Sequence, residues 1–265
     1  MTRVAGLHWQ ADGQPQGDPL LLCSGLDGTA GFWDPNVAAL GAEARLFRYD
    51  HRGVGRSDRA LDGVVTVDGM AADVVQLLDG LGIERVSFVG HGLGGLIGLV
   101  LALTAPQRLA NLIVVNGWAS PDPNLARSLD VQAAMLRDTG ARACVRAMPL
   151  FLYPAAWTSE NIARIDAAED AAVDAFPSSD AFSKRAAAVR RADIAARLGE
   201  IEMPVLLIAA EDDMLVPADC SRRLAAGLRD AELKMLPRGG HACNVTMPHV
   251  VETFVSGWLN RIRRI

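Results

Sequence analysis

Short apolar runs and helix-period stretches alternate along most of the chain. Residues 20–24 (LLLCS), 46–50, 86–89, 112–116 and 205–210 are brief, nearly continuous apolar runs, the pattern of strands buried on both faces. Residues 232–236 are strand-like as well. Between these runs, stretches 32–40, 67–81, 93–103 and 218–228 repeat their apolar positions at helical spacing. Stretch 247–263 reads as a closing amphipathic helix. Strands alternating with helices predict a mostly parallel central sheet with helices on both faces, an α/β class fold.

One region departs from this rhythm. From 121 to 197 no strand-like run occurs, and Ala, Arg and Asp recur at helical spacing. The expected organisation is a core of residues 1–120 and 198–265, interrupted by a helical lid insertion at 121–197. Ligands of open α/β sheets bind at the C-terminal edge of the strands, so this insertion is expected to shape the pocket.

Composition narrows the class. Half of the 265 residues are hydrophobic, enough for a large core. Lys plus Arg number 26 against 31 for Asp plus Glu, which speaks against a nucleic-acid footprint. The N-terminal MTRVAGLHWQADGQ has no apolar signal region, and the longest apolar run, 96–103, is too short to span a membrane. Cys23, Cys144, Cys220 and Cys243 are scattered, as expected of reduced thiols in a cytoplasmic protein. His8, His51, His91, His241 and His249 show no metal-ligand spacing, so no metal and no cofactor are expected.

The candidate chemistry starts at Ser87-Phe-Val-Gly90-His-Gly-Leu-Gly94-Gly95, which follows a strand and opens a helix. A dinucleotide loop would need Gly90, Gly92 and Gly95 in the first strand unit and an acidic residue about 20 positions on; residue 112 is Leu. Strand, turn and helix with glycines at 90 and 94 instead resemble the nucleophile elbow of the α/β-hydrolase fold. At its centre, where serine usually stands, this chain has Gly92.

That resemblance implies partners further along. Asp213, in Asp213-Met-Leu-Val-Pro217, takes the place of the acid, with Asp212 or Glu211 as its alternatives, and His241 that of the histidine. The backbone amides of Leu26 and Leu93 take the oxyanion-hole positions. Ser24-Gly25 stands where many members have His-Gly, a departure that backbone amides tolerate. The loop Asp50-His-Arg-Gly53-Val-Gly55-Arg-Ser57 reads as a structural turn. His91 is expected to pack beneath the elbow with its side chain away from the pocket. Cys243, two residues beyond His241, is misplaced for a substitute nucleophile.

Further segments make the resemblance more specific. They are Val115-Asn-Gly-Trp118, Pro149-Leu-Phe-Leu-Tyr-Pro-Ala-Ala-Trp157, Lys184-Arg185, Arg191-Ala-Asp193 and Gly239-Gly-His-Ala-Cys-Asn-Val-Thr246. Together with the 213–217 segment they resemble the RutD family, α/β-hydrolase-fold proteins of a pyrimidine (uracil) degradation pathway. The similarity runs over nearly the whole chain, and members of that family also tend to lack the elbow serine. The resemblance implies a bacterial cytoplasmic enzyme of uracil catabolism. Its substrate is carbamate, yielding ammonia and carbon dioxide, or 3-aminoacrylate, yielding malonic semialdehyde and ammonia. Neither demands an acyl-enzyme, so His241 and the two amides suffice in principle. Two other classes stay open: a serine-type hydrolase inactivated at Gly92, and a pseudoenzyme that binds a small anion. Ser24, Asn116, Trp118, Tyr153, Trp157 and Asn244 are the candidate pocket residues. The expected partner is a small-molecule substrate, and a homodimer through the lid is compatible with the sequence.

Overall fold

A computed structural model of the protein describes residues 3–262. Eight strands form one sheet in the order β1-β2-β4-β3-β5-β6-β7-β8. They are β1 (Arg3–Val4), β2 (Leu7–Gly13), β3 (Asp18–Cys23), β4 (Ala44–Tyr49), β5 (Val86–His91), β6 (Leu109–Val115), β7 (Val205–Ala210) and β8 (Ala231–Leu236). From β4 through β8 every pairing is parallel, whereas β2 runs antiparallel to both β1 and β4. The sheet is therefore mixed but mostly parallel. The antiparallel β1–β2 ribbon carries too little apolar alternation to be read from the sequence; Trp9 of β2 finds its partner only in Phe47 of β4.

Period-two alternation sorts the strand side chains into two cores. Leu21, Cys23, Phe47, Phe88, Leu112 and Leu207 face the helices α2 (Val67–Gly80), α3 (Leu93–Thr104) and α9 (Ala218–Gly227). Their neighbours Leu20, Leu22, Leu46, Val89, Ile113 and Ile208 face α1 (Asp34–Leu40) and α11 (Pro248–Ile262). Helices thus cover both faces, which is why the central strands read as unbroken apolar runs. A 3-10 turn, Ala30–Trp33, precedes α1, and the short α10 (Cys243–Thr246) precedes α11. Position 263 of the expected closing helix lies outside the described residues. Among the described residues no helix is long and apolar enough to cross a membrane.

Between β6 and β7 the chain runs through α4 (Pro123–Thr139), α5 (Ala141–Leu152), α6 (Ala155–Glu160), α7 (Ile162–Ala175) and α8 (Ser179–Arg191), with no strand. Asp122 caps α4 by accepting the Asn124 amide, and Ser178 caps α8 by accepting that of Ala181. These helices wall a cavity of about 330 Å³ whose floor is the C-terminal edge of the sheet.

Candidate active site

The site is organised around the turn from β5 into α3. Gly92 sits there with φ +56° and ψ −117°, a conformation that costs any residue with a side chain. The flanking glycines are required by proximity: a Cβ at Gly90 would lie 2.2 Å from the Gly94 carbonyl oxygen, and one at Gly94 2.3 Å from that of Cys23. The turn is the strained elbow read from the sequence, with no side chain at its tip.

His241 faces that tip. A Cβ built on Gly92 would stand 3.1 Å from His241 Nε2 and 3.9 Å from Gly25 Cα. The imidazole therefore crowds the space a nucleophile's side chain would enter. His241 Nδ1 donates to Asp213 Oδ2 at 2.8 Å, and the two side chains are 5% and 0% exposed. Asp213 Oδ1 in turn accepts the amides of Leu215 and Val216, each at 2.8 Å, so both carboxylate oxygens are held in place. The alternatives fall elsewhere: Asp212 accepts the Gly240 amide at 2.8 Å, and Glu211 pairs with Arg222 at the surface.

Leu26 and Leu93 both line the cavity beside His241. Among the described residues neither backbone N–H has an acceptor within the chain, as two amides kept for an incoming oxygen require. The Leu26 carbonyl, by contrast, is clamped by Arg185 of α8, whose Nε and Nη2 donate to it at 3.1 and 2.7 Å. Arg185 Nη1 also donates to the Arg52 carbonyl at 3.1 Å. The guanidinium is fully buried, and burial pulls its pKa below the ordinary value, with Asp27 opposing.

The His241 loop is held from three sides. Asn116, at φ +50°, donates from Nδ2 to the His241 carbonyl, while its Oδ1 accepts the Ala210 amide. His91 Nε2 donates to the same His241 carbonyl at 2.8 Å. Ala242 N–H donates to the carbonyl of Leu152 in the helical insertion at 3.0 Å, which joins the 149–157 and 239–246 segments in space.

Several candidates stand differently from the sequence expectation. His91 does not point away: it lines the cavity, with its ring 4.5 Å from that of His241. Burial and the neighbouring His241 hold its pKa well below the ordinary value, so it is a neutral donor at Nε2 and a bare acceptor at Nδ1. Trp118 and Tyr153 line the cavity, whereas Ser24, Asn116, Trp157 and Asn244 do not. Ser24 lies beneath the loop with its carbonyl accepting His51 Nε2 at 2.9 Å. Trp157 packs on the Tyr153 ring at 4.5 Å. Asn244 is turned into the core against Asn36. Asn116 serves the backbone, as just described. The Asp50 loop is a staple: Asp50 accepts the Ala30 and Arg56 amides, each at 2.8 Å. Burial pushes the Cys23 and Cys243 thiols up to about 12, leaving neither as a thiolate near neutral pH.

Two cavity groups escaped the sequence reading. Asp27 lines the cavity beside Leu26, and burial raises its carboxyl to about 7 against the pull of Arg185. Gln132 of α4 lines it too and is 4% exposed. Neither belongs to a motif; only the fold brings residues 27 and 132 to one cavity. Among the described residues no three His, Cys, Asp or Glu side chains are grouped to hold a metal ion.

Comparison with known proteins agrees with this fold. The family profile for the alpha/beta hydrolase fold matches residues 18–147. A protein from Caulobacter sp. (strain K31) named "Putative carbamate hydrolase RutD" is 47% identical over 259 residues, 97% of each chain. Among solved structures, a hydrolase from Pseudomonas aeruginosa PA01 superposes with a TM-score of 0.86 at 31% identity, covering 96% of this chain and 94% of that one. An enol-lactonase from Burkholderia xenovorans LB400 superposes with a TM-score of 0.88 at 26% identity, covering 97% and 98%.

Proposed function

Because the chain belongs to the RutD family of α/β-hydrolase-fold proteins, we propose that it hydrolyses carbamate to ammonia and carbon dioxide by proton transfer through His241, without a serine nucleophile. One observation carries the reading: His241, oriented by Asp213, presents Nε2 at the empty tip of the elbow, 3.1 Å from where a Cβ would begin.

Carbamate needs no acyl-enzyme, because its C–N bond breaks once the nitrogen is protonated. In this mechanism the substrate carboxylate lies on the amides of Leu26 and Leu93, at the positive end of α3. The protonated His241 gives the proton on Nε2 to the carbamate nitrogen. The C–N bond then breaks, its electron pair leaves on nitrogen as ammonia, and the carboxylate becomes carbon dioxide. Asp213 offsets the imidazolium charge while it lasts. The protonated substrate carries both signs of charge, whereas the products carry none. Apolar walls such as Leu125, Leu129 and Val216 therefore favour the cleavage step, since a charged species loses more than a neutral one when water is excluded. Proton transfer of this kind is worth about 100- to 10,000-fold.

The test is the decay of freshly generated carbamate with native protein, with His241→Ala and without protein. Acceleration by the native chain that vanishes in the variant supports the reading. Equal decay in all three at saturating protein overturns it and leaves a binding role for the site.

A second reading, hydrolysis of 3-aminoacrylate to malonic semialdehyde and ammonia, is favoured by the cavity's size. About 330 Å³ is in the range of roughly 300–1,000 Å³ that organic ligands occupy, and it exceeds what carbamate fills. The same His241 would then protonate carbon to form the imine that water attacks.

A further inference from the structure

The floor of the cavity carries His241 and the amides of Leu26 and Leu93, whereas the walls above it are largely hydrocarbon. Three helices of the insertion each turn an apolar stripe to it: Leu125 and Leu129 of α4, Val145 and Met148 of α5, and Ile165 and Ala172 of α7. α7 buries none of its residues, and Ala172 is exposed although it lines the cavity. The apolar side of α7 therefore faces the cavity and not the hydrophobic core. Among the described residues no Lys or Arg lines the cavity. Of the acids that do, Asp27 adjoins Leu26 at the floor, and Glu169 of α7 is paired with Arg142 and Arg146 of α5 at 2.6 and 3.4 Å.

We propose that these walls form a subsite for an uncharged apolar substituent on the substrate nitrogen, so that the preferred substrate is the carbamate of a small primary alkylamine, R–NH–COO⁻, with R of about four carbons.

The floor and the walls together select that molecule. With both carboxylate oxygens on the two amides, nitrogen is the one atom of carbamate that can bear a substituent. It is also the atom that His241 protonates, so the substituent leads away from the elbow toward the insertion. Carbamate alone leaves most of the apolar wall in contact with water, and an alkyl chain covers it. A second anionic group on the chain would meet no cation in the cavity. The bond changes are those of the parent reaction: Nε2 of protonated His241 gives its proton to nitrogen, the C–N bond breaks with its electron pair on nitrogen, and the products are R–NH₂ and carbon dioxide. The identity of the substrate rests on the carbamate reaction proposed above; the subsite itself does not.

The test has a binding arm and a turnover arm on the full chain. Propanoate and hexanoate replace the N–H of N-methylcarbamate and N-butylcarbamate by a methylene and cannot break down. In calorimetric titration each added methylene should tighten binding about 4-fold, so hexanoate should bind roughly 60-fold tighter than propanoate. Adipate, of the same length with a second carboxylate, should bind about 10-fold or more weaker than hexanoate. Ala172→Phe, which fills the cavity, should bring hexanoate to within about 5-fold of propanoate, and Ile165→Asp should weaken hexanoate about 10-fold. Both positions lie on a helix without buried residues, and unchanged far-UV circular dichroism confirms that the variants fold. In the turnover arm the native chain should accelerate decay of freshly generated N-butylcarbamate with a kcat/KM about 60-fold above that for N-methylcarbamate. Hexanoate binding no tighter than propanoate, or adipate binding as tightly as hexanoate, would overturn the subsite even if carbamate itself is turned over. The expected alkanoate series with no acceleration of any carbamate would instead support the subsite and overturn the reaction.

Discussion

Asp27→Asn exchanges a carboxyl for an amide of the same shape that carries no charge at any pH, and its effect on stability is set by where the carboxyl sits. Burial raises Asp27 from 3.8 to about 7 in the folded protein. Between those values the folded state binds a proton that the unfolded state does not, so stability falls as pH rises from about 4 to about 7. Below that window the acid is neutral in both states and costs nothing; above it the penalty is complete. At 1.36 kcal/mol for each tenfold change in proton affinity, the ceiling is about 4 kcal/mol. The residue keeps some exposure toward the cavity although its Oδ1 is sealed, and water reaching the other oxygen screens part of the cost. The expected gain for Asp27→Asn is therefore about 2–4 kcal/mol near pH 8 and close to zero near pH 4. The charge of Arg185 already acts within that net shift. Cys144 feels the Asp27 charge, but burial raises its thiol above the ordinary value, so it stays protonated throughout this window. Urea unfolding followed by tryptophan fluorescence, at a series of pH values, measures the difference directly. A stability difference that does not change with pH, or an asparagine variant less stable than the native chain near pH 8, would refute the burial argument.

Three further outcomes are expected. Asp213→Asn preserves shape but no longer fixes the imidazole tautomer or offsets its charge; carbamate turnover should fall about 100- to 10,000-fold with unchanged circular dichroism. Arg185→Lys keeps a positive charge but loses the fork on the Leu26 carbonyl; kcat should fall about 10-fold with KM nearly constant, and a loss confined to KM would show that Leu26 needs no such anchor. Gly92→Ser places a Cβ 3.1 Å from His241 Nε2 on a backbone of φ +56°; it should cost about 1–3 kcal/mol in denaturant unfolding and slow carbamate turnover. The same variant should become acylated by aryl esters, visible by mass spectrometry, and a variant inert to them would show that the elbow no longer supports a nucleophile.

The elbow shows how much a local pattern can carry. An all-apolar strand, glycines spaced to admit a close backbone turn, and a helix beginning at once are local requirements, and residues 86–104 announce each of them in order. Asp213 and His241 are legible for a related reason: each follows a strand at the edge where such sheets bind ligands, and each sits in a short segment with its own signature. The parallel core is legible because strands buried on both faces leave no room for polar residues. The edge ribbon β1–β2 is not, since its half-exposed residues, Trp9 among them, take their places only by pairing with β4.

His91 departs from expectation because the elbow alone says nothing of what will pack against it. Its ring lies beside His241, 150 positions away, and the carbonyl of His241 holds it there. Asn116, Asn244 and Ser24 are polar residues near the right strand ends, and nothing local distinguishes one that faces a cavity from one that ties loops together. Contiguous residues were enough to give the α/β architecture, the elbow without its serine and a short set of candidates for the acid, because each is written within a short stretch; only the fold set Asp213, rather than Asp212 or Glu211, against His241. It took the packed fold to bring Arg185 onto the Leu26 carbonyl from 159 positions away, and to place Asp27 and Gln132 in one cavity. Burial is the reason. Whether a carboxyl, an amide or a guanidinium has lost its water depends on what the whole fold packs around it, and no short segment contains that information.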